Sequence, residues 1–128
     1  MDLALLGISK FNMSSVTDTS VMFRHAEDFD GDISGWDVSS VTRMDAMFLG
    51  ADKFNGDISG WDVSNVKNLA EFATRAETFA VDLCPWGLKL PKDVHFGDFP
   101  PFRDTACPNE IPPNMDRTPP GPFCHDCN

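Results

Sequence analysis

The sequence predicts an α/β repeat solenoid, in which each repeat contains one short strand or extended segment and one short helix. Three observations support this fold class: self-similarity at a fixed interval, a change of apolar spacing within each interval, and a corner that recurs as DGDISGWD and NGDISGWD. The interval is about 25 residues, and self-similarity at roughly 20 to 50 residues is typical of folds whose units bury their apolar side by stacking. We call each unit a lap, and expect laps at about 4–28, 29–53 and 54–78, with a partial lap at 79–87.

The period is clearest in the apolar residues. Aligning the chain with itself at an offset of one period places tryptophans or other large apolar side chains at equivalent positions of successive laps. Repeated aromatic residues at one position more often form a buried core than a stacking surface for a sugar or pigment. Two such columns are Ile8, Ile33, Ile58 and Leu83, and Phe11, Trp36, Trp61 and Trp86.

Each lap divides into two parts. Ile33, Trp36 and Val38 approach the alternation of a short strand or extended turn. After Thr42, which is a candidate helix cap with Asp45 as its partner, apolar residues recur at the spacing of one helix face. The predicted helix would bury Met44, Met47, Phe48 and Ala51.

The recurring corner invites comparison with a calcium-binding loop. The first half of DGDISGWD provides oxygen ligands and a glycine as an EF-hand does, but Val41 stands where that loop requires a bidentate glutamate. We therefore interpret the corner as a turn, in which Gly31 and Gly56 permit the backbone conformation. Asp32 and Asp57 are expected to accept hydrogen bonds from backbone amides of the turn.

Acidic residues also recur with the period. Asp32, Asp57 and Asp82 form one column, and Glu27, Asp52 and Glu77 form another. Neighbouring like charges must be solvated, hydrogen-bonded or bridged by a cation. The two interpretations are turn capping along a solvated edge and a column that binds a divalent cation weakly.

The charge of the chain limits its partners. A net charge of -10 and an isoelectric point of about 4.4 disfavour nucleic acid and anionic membrane surfaces, which repel such a protein. No apolar run approaches the ~18 residues that a membrane-spanning helix requires. A protein partner, with basic surface patches, is the expectation.

Cysteines and prolines are concentrated near the C-terminus. Cys84, Cys107, Cys124 and Cys127 predict disulfides and an oxidising compartment, which could be the cell surface, the extracellular space or an organelle lumen. Free thiols and zinc are the alternatives, although only one C-x-x-C pair is present. A Cys84–Cys107 bridge would fasten a cap to the end of the repeats.

All ten prolines lie between Pro85 and Pro122, so the repeat domain is expected to span residues 1–84. Residues 85–107 would form the cap, and residues 108–128 an extended arm, with a disordered tail as the alternative. The cap and arm supply the candidate partner-binding residues, which are Phe99, Phe102, Ile111, Met115 and Phe123.

The stretches FNGDISGWDVSNV at 54–66 and WDVSSVTRMDAMF at 36–48 resemble the BspA-like bacterial surface-protein repeat, which is also common in microalgae. The resemblance covers residues 8 to about 83 and implies a leucine-rich-repeat-like solenoid associated with surfaces, adhesion and protein contacts. It implies no enzymatic role.

These observations favour a non-enzymatic protein-interaction or scaffold module, such as a subunit of a larger assembly, that docks through its repeat face and arm. The alternative is a surface module that binds divalent cations or carbohydrate. His25, His95 and His125 occupy unrelated positions, and no nucleophile or phosphate-binding motif accompanies them. We predict no cofactor.

Overall fold

The computed structural model describes residues 7–128, and it corrects the predicted fold class. The helices in this part of the chain are two short 3-10 segments, Ile8–Lys10 and Cys84–Leu88. No α-helix and no strand longer than an isolated bridge occurs among the described residues, so the α/β class is wrong. The repeat itself is visible in the parallel bridges Asp18 to Arg43, Arg43 to Asn68 and Asn68 to His95.

The segment predicted to be helical is a run of overlapping turns. In the second lap the amides of Met47, Leu49 and Ala51 each donate to the carbonyl three residues earlier, at 3.2, 3.3 and 2.9 Å. The intervening amides donate to the next lap, because Ala46 N bonds Ala70 O at 2.9 Å and Phe48 N bonds Phe72 O at 2.9 Å. Neighbouring laps are therefore joined by backbone hydrogen bonds at every second residue.

The sequence pattern could not separate these turns from a helix. Met44, Met47, Phe48 and Ala51 are fully buried, as a helix face would require. A run of three-residue turns places side chains inward at the same spacing of three and four residues. Thr42 does not cap a helix, and its hydroxyl instead donates to Thr17 O of the preceding lap at 3.2 Å.

Left-handed backbone recurs at two positions of these turns. The first is occupied by Val21, Ala46 and Glu71, with φ of 55°, 54° and 55°. A positive φ at the third residue is the conformation of a type II turn, which glycine adopts most easily. The second position, two turns later, is occupied by His25, Gly50 and Arg75, with φ of 57°, 71° and 63°.

We expect Gly50→Ala to lower the free energy of unfolding by about 1–2 kcal/mol, because a left-handed residue with a Cβ is strained. The new Cβ would also lie 2.6 Å from His25 Nδ1, so the imidazole would have to move. Gly35→Ala is the matched control, since nothing lies within 4 Å of its added Cβ. Urea denaturation should show a loss for Gly50→Ala only, and equal losses in both variants would contradict this assignment.

The tryptophan column forms the centre of the core, as predicted. Trp36, Trp61 and Trp86 are 5%, 1% and 0% exposed. Successive rings stack with centroids 6.4 Å apart. Each indole N–H also donates to an isoleucine carbonyl of the preceding lap, with Trp61 Nε1 lying 3.0 Å from Ile33 O. The remaining pairs are Trp36 with Ile8, at 2.9 Å, and Trp86 with Ile58, at 3.0 Å.

Stacked phenylalanines form a second column and explain the corner glycines. Phe29, Phe54, Phe79 and Phe102 stack in order, with centroids 5.7, 6.1 and 6.3 Å apart. A Cβ on Gly31 would lie 2.8 Å from the Phe29 ring, and Gly56 has the same relation to Phe54. Glycine is required here by the close approach of the ring, whereas the sequence pattern indicated only a turn conformation.

A fourth lap extends the repeat beyond the predicted boundary at residue 84. Ala73 N donates to Pro101 O at 2.8 Å, and Arg75 N donates to Arg103 O at 2.9 Å. The donor and acceptor of each bond are separated in sequence by more than one period, so the fourth lap contains additional residues. An alignment of the chain with itself at a fixed offset therefore does not detect this lap. Much of the predicted cap therefore continues the repeat.

Two disulfides close this end of the chain, and their pairing corrects the prediction. Cys84 is bonded to Cys127 and Cys107 to Cys124, so the expected Cys84–Cys107 bridge is absent. Residues 108–128 fold back over the fourth lap, and Leu83 N donates to Phe123 O at 3.3 Å. This return places Cys127 next to Cys84 and Cys124 next to Cys107. The predicted arm is consequently packed and cross-linked.

Neither 3-10 helix between residues 7 and 128 has the length or apolar character to cross a membrane.

Candidate functional site

An open groove crosses successive laps on their lateral face. Its volume is about 380 Å³. Its walls carry more carboxylates than cationic groups, so the groove is acidic. The lining residues are His25, Glu27, Gly50, Asp52, Arg75, Glu77 and Asp104.

The period of the chain builds this groove directly. The second left-handed position of each lap supplies His25, Gly50 and Arg75, and the residue two positions later is acidic in all three laps. The backbone that carries Asp52 is bonded to the next lap. The amide of Thr78 donates to Asp52 O at 3.2 Å, and the Thr78 hydroxyl donates to the same oxygen at 2.8 Å. A rigid backbone thus presents carboxylates in register along an exposed face.

The aspartate column at the corners has a structural role. Asp32 Oδ1 accepts from Ser34 N at 3.0 Å and from Ser34 Oγ at 2.7 Å, and Asp57 bonds Ser59 in the same way. Hydrogen bonds from the serine hydroxyl and then its amide lower the pKa of both aspartates. Asp82 accepts from Cys84 N at 2.9 Å. Turn capping, the first of the two interpretations, is confirmed for these residues.

The described residues offer no support for a cation at this column. Between residues 7 and 128, no group of three or more histidine, cysteine, aspartate or glutamate side chains is arranged to hold a metal ion. The carboxylate oxygens of Asp32 and Asp57 are directed to their own turns by the bonds to Ser34 and Ser59.

A second column of polar caps lies beside the first and was not predicted. Asp37 Oδ1 accepts from Ser39 N at 3.0 Å and Ser39 Oγ at 2.6 Å, and Asp62 accepts from Ser64 N at 3.1 Å. Hydrogen bonds from the serine hydroxyl and amide lower the pKa of Asp37 and Asp62 as well. The sequence did contain a signal for these caps, since an aspartate followed by a serine two residues later occurs twice in each of the second and third laps.

These caps predict that the protein loses stability in acid. The pKa of each capping aspartate is below its ordinary value of 3.8 in the folded chain. Their contribution to stability is therefore complete above that value and is lost as the pH falls through the lower folded pKa. We expect the urea midpoint to decline steadily from about pH 4.5 to pH 2.5.

The double variant Ser34→Ala/Ser59→Ala is the control for this acid dependence. It removes the hydroxyl donors that contribute most to lowering the pKa of Asp32 and Asp57. The decline of the urea midpoint between about pH 4.5 and pH 2.5 should then be shallower than in the original protein. An identical decline would show that these caps do not cause it.

The candidate partner-binding residues separate into two groups. Phe102, Met115 and Phe123 are 2%, 8% and 0% exposed, so their side chains are core and cannot contact a partner at the surface. Phe102 stacks on Phe79 in the phenylalanine column, whereas Met115 and Phe123 reach the core through the fold-back of residues 108–128. No local pattern in the sequence indicated that return. Phe99 and Ile111 remain 51% and 62% exposed, and Arg103 lies over the Phe99 ring at 5.2 Å.

The tryptophans of the aromatic column offer no platform for a carbohydrate. Trp61 and Trp86 are buried between laps, and a sugar would require an exposed ring face. Phe11, at the first-lap end of the column, is 49% exposed.

Comparison with known proteins places the repeat in a family. The family described as "Mycoplasma protein of unknown function, DUF285" has a sequence model that matches residues 2–97. The chain belongs to this family. The match includes the first three laps and reaches His95 of the fourth, which agrees with the laps joined by parallel bridges. No curated protein and no solved structure matches the chain.

Proposed function

We propose that this member of the family is a non-enzymatic protein-interaction module that binds a basic surface of another protein through its acidic lateral face. The observation that carries the proposal is the acidic groove, in which Glu27, Asp52 and Glu77 stand in register on successive laps. The net charge of -10 supports a basic partner, because opposite charges accelerate encounter and set orientation.

The polar groups of the laps have different roles, and this difference supports the same proposal. The corner aspartates cap turns, and the indole N–H groups bond carbonyls of the core. The acidic residues of the groove form no such cap in the described structure, and they are left to interact with solvent or a partner. The resemblance to BspA-like surface repeats favours protein contact as well. No observation on residues 7–128 favours the alternative of a cation-binding or carbohydrate-binding module.

The experiment compares capture of native partners by the chain and by a face variant, Glu27→Gln/Asp52→Asn/Glu77→Gln. Cross-linking mass spectrometry on extracts of the native source identifies both the partner and the contacted lysines. Each exposed ion pair contributes about 0.2–1 kcal/mol, so removing three acidic groups should reduce capture about tenfold. Raising the ionic strength should reduce capture by the original chain as well.

A matched variant carries the same change of charge elsewhere. Asp93, Asp98 and Asp116 are exposed and lie outside the groove, so their replacement by asparagine should leave capture unchanged. All three proteins should melt within about 2 °C of one another, because none of the replaced side chains is buried and such substitutions change stability little. Equal capture by the face variant and the original chain would refute the proposal.

A further inference from the structure

The first lap contains an acceptor sequence for N-linked glycosylation. Asn12-Met13-Ser14 matches the pattern of an asparagine, any residue except proline, and a serine or threonine. No other asparagine of the sequence is followed two residues later by serine or threonine. A match of three residues is frequent by chance, so its weight depends on the surroundings of Asn12 in the folded chain.

Asn12 occupies a position of the lap that is otherwise aspartate. One period later this position is Asp37, and two periods later it is Asp62. Asn12 Oδ1 accepts from Ser14 N at 3.0 Å and from Ser14 Oγ at 2.7 Å. The corresponding distances from Asp37 Oδ1 to the amide and hydroxyl of Ser39 are 3.0 and 2.6 Å. The first lap therefore forms the same cap with a side-chain amide in place of a carboxylate.

This cap uses only one polar atom of the Asn12 side chain. A backbone amide can only donate, so the atom that accepts from Ser14 N is the carbonyl oxygen, Oδ1. The cap does not need Nδ2, because Asp37 and Asp62 have no nitrogen at this place and cap their turns in the same way. A sugar attached to Nδ2 would leave Oδ1 and both of its hydrogen bonds in place.

The position of Asn12 in the lap is a surface position. Asn12 is exposed, and so are Asp37 and Asp62. The second and third laps, which carry the two aspartates, are each bonded to a lap on either side. Stacking of laps therefore does not cover this position, and a bulky group attached here would extend into solvent.

The cysteines give a second reason to consider this modification. Disulfides such as Cys84–Cys127 and Cys107–Cys124 form and persist in oxidising environments, which include the secretory pathway. The asparagine motif is likewise a property of surface loops in secreted proteins. The two observations are independent, because the cysteines lie in the C-terminal part of the chain and Asn12 lies in the first lap.

We propose that Asn12 carries an N-linked glycan, added by a transferase whose donor is an oligosaccharide linked to a lipid diphosphate. A bond forms between Nδ2 and C1 of the first sugar, and the bond between C1 and the diphosphate oxygen breaks. Nδ2 loses one proton, the lipid diphosphate leaves, and the reaction needs no oxidant or reductant. The site is separate from the acidic groove, whose lining does not include Asn12.

Mass spectrometry of the full chain, purified from its native source, tests the proposal. Cleavage after Lys10 and Arg24 releases the peptide 11–24, in which Asn12 is the sole asparagine. We expect this peptide to carry a glycan that a peptide N-glycosidase removes, with conversion of Asn12 to aspartate. Recovery of the peptide without a glycan from the native protein would overturn the proposal.

Variants of the full chain, secreted from eukaryotic cells, separate the motif from effects on folding. Asn12→Asp removes the acceptor nitrogen and keeps the oxygen of the cap, as Asp37 does in the next lap. It should lose the glycan completely. Ser14→Ala should also lose the glycan, whereas Ser14→Thr keeps a hydroxyl and should retain it. A glycan that persists in Asn12→Asp would lie at another residue and would contradict the assignment.

Thermal unfolding tests whether the cap accommodates the sugar. The glycosylated chain and Asn12→Asp should melt within about 2 °C of each other, because both keep the accepting oxygen and the position is exposed. A Tm of the glycosylated chain that is lower by more than this would show that the sugar disrupts the cap, against the proposal. None of these measurements involves the acidic groove, so the glycan and the proposed function are tested separately.

Discussion

Replacing Trp61 by alanine should lower the free energy of unfolding by about 4 kcal/mol, the largest effect expected of any single substitution in the repeat. The ring is 1% exposed and stacks between Trp36 and Trp86, with both centroids 6.4 Å away. Alanine removes these contacts, leaves a cavity and deprives the Ile33 carbonyl of the indole N–H that lies 3.0 Å from it.

Urea denaturation measures this loss, and two further substitutions divide it into parts. Trp61→Phe keeps an aromatic ring but removes the N–H donor, so it should cost less than alanine, about 2–3 kcal/mol. Phe11→Ala removes a ring from the exposed end of the same column and should cost less than about 1 kcal/mol, since Phe11 is 49% exposed. Equal costs for Trp61→Ala and Phe11→Ala would contradict a core built on the tryptophan column.

Removing the Cys84–Cys127 disulfide should have an effect of similar size. The double variant Cys84→Ser/Cys127→Ser should lose about 4 kcal/mol, because the bond closes a loop with a sequence separation of 43. The pair Cys107→Ser/Cys124→Ser should lose less, about 3 kcal/mol, because its separation is 17.

Urea midpoints of the two double variants, measured without reductant, test this order. Peptide mapping of the intact protein establishes the pairing in the same samples. Recovery of a Cys84–Cys107 peptide, or a larger loss for the shorter loop, would contradict the structure of the closed end.

The period and the core could be predicted because both depend on which type of residue occupies each position of a lap. Trp36, Trp61 and Trp86 recur at the same interval, and burying them requires only that successive laps lie on one another. Capping of the corners by Asp32 and Asp57 was equally local, since each carboxylate reaches an amide two residues away.

The backbone conformation of the laps could not be predicted in the same way. An inward spacing of three and four residues is shared by a helix and by successive turns, and Met44, Met47 and Phe48 satisfy both. Whether a helix or successive turns form depends on which carbonyls accept hydrogen bonds from the remaining amides. Those carbonyls lie one lap further along the chain. Left-handed Val21 and Glu71 carry no sequence signal, because neither is a residue that favours a positive φ.

Long-range contacts also explain the errors at the C-terminus. Prolines disfavour strands and helices, but they did not mark the end of the repeat, which continues to Arg103, and they did not indicate that residues 108–128 would turn back. Phe102 in the predicted cap and Phe123 in the predicted arm were expected to contact a partner. Phe102 instead stacks on Phe79, and Phe123 is buried by a fold-back that is cross-linked by disulfides, whose pairing spacing alone leaves open. The acidic groove was predicted as a column, and its concavity arises from the turns beneath it.

In this structure, alternate amides join each lap to the next in place of an internal helix. Through-hydrogen-bond scalar couplings between amide nitrogens and carbonyl carbons measure this directly in solution. The structure predicts couplings from Phe23 to Met47, from Ala46 to Ala70 and from Phe48 to Phe72, pairs whose N–O distances are each 2.9 Å. A coupling from Phe48 N to the carbonyl of Met44, four residues earlier, would indicate a helix and contradict this structure.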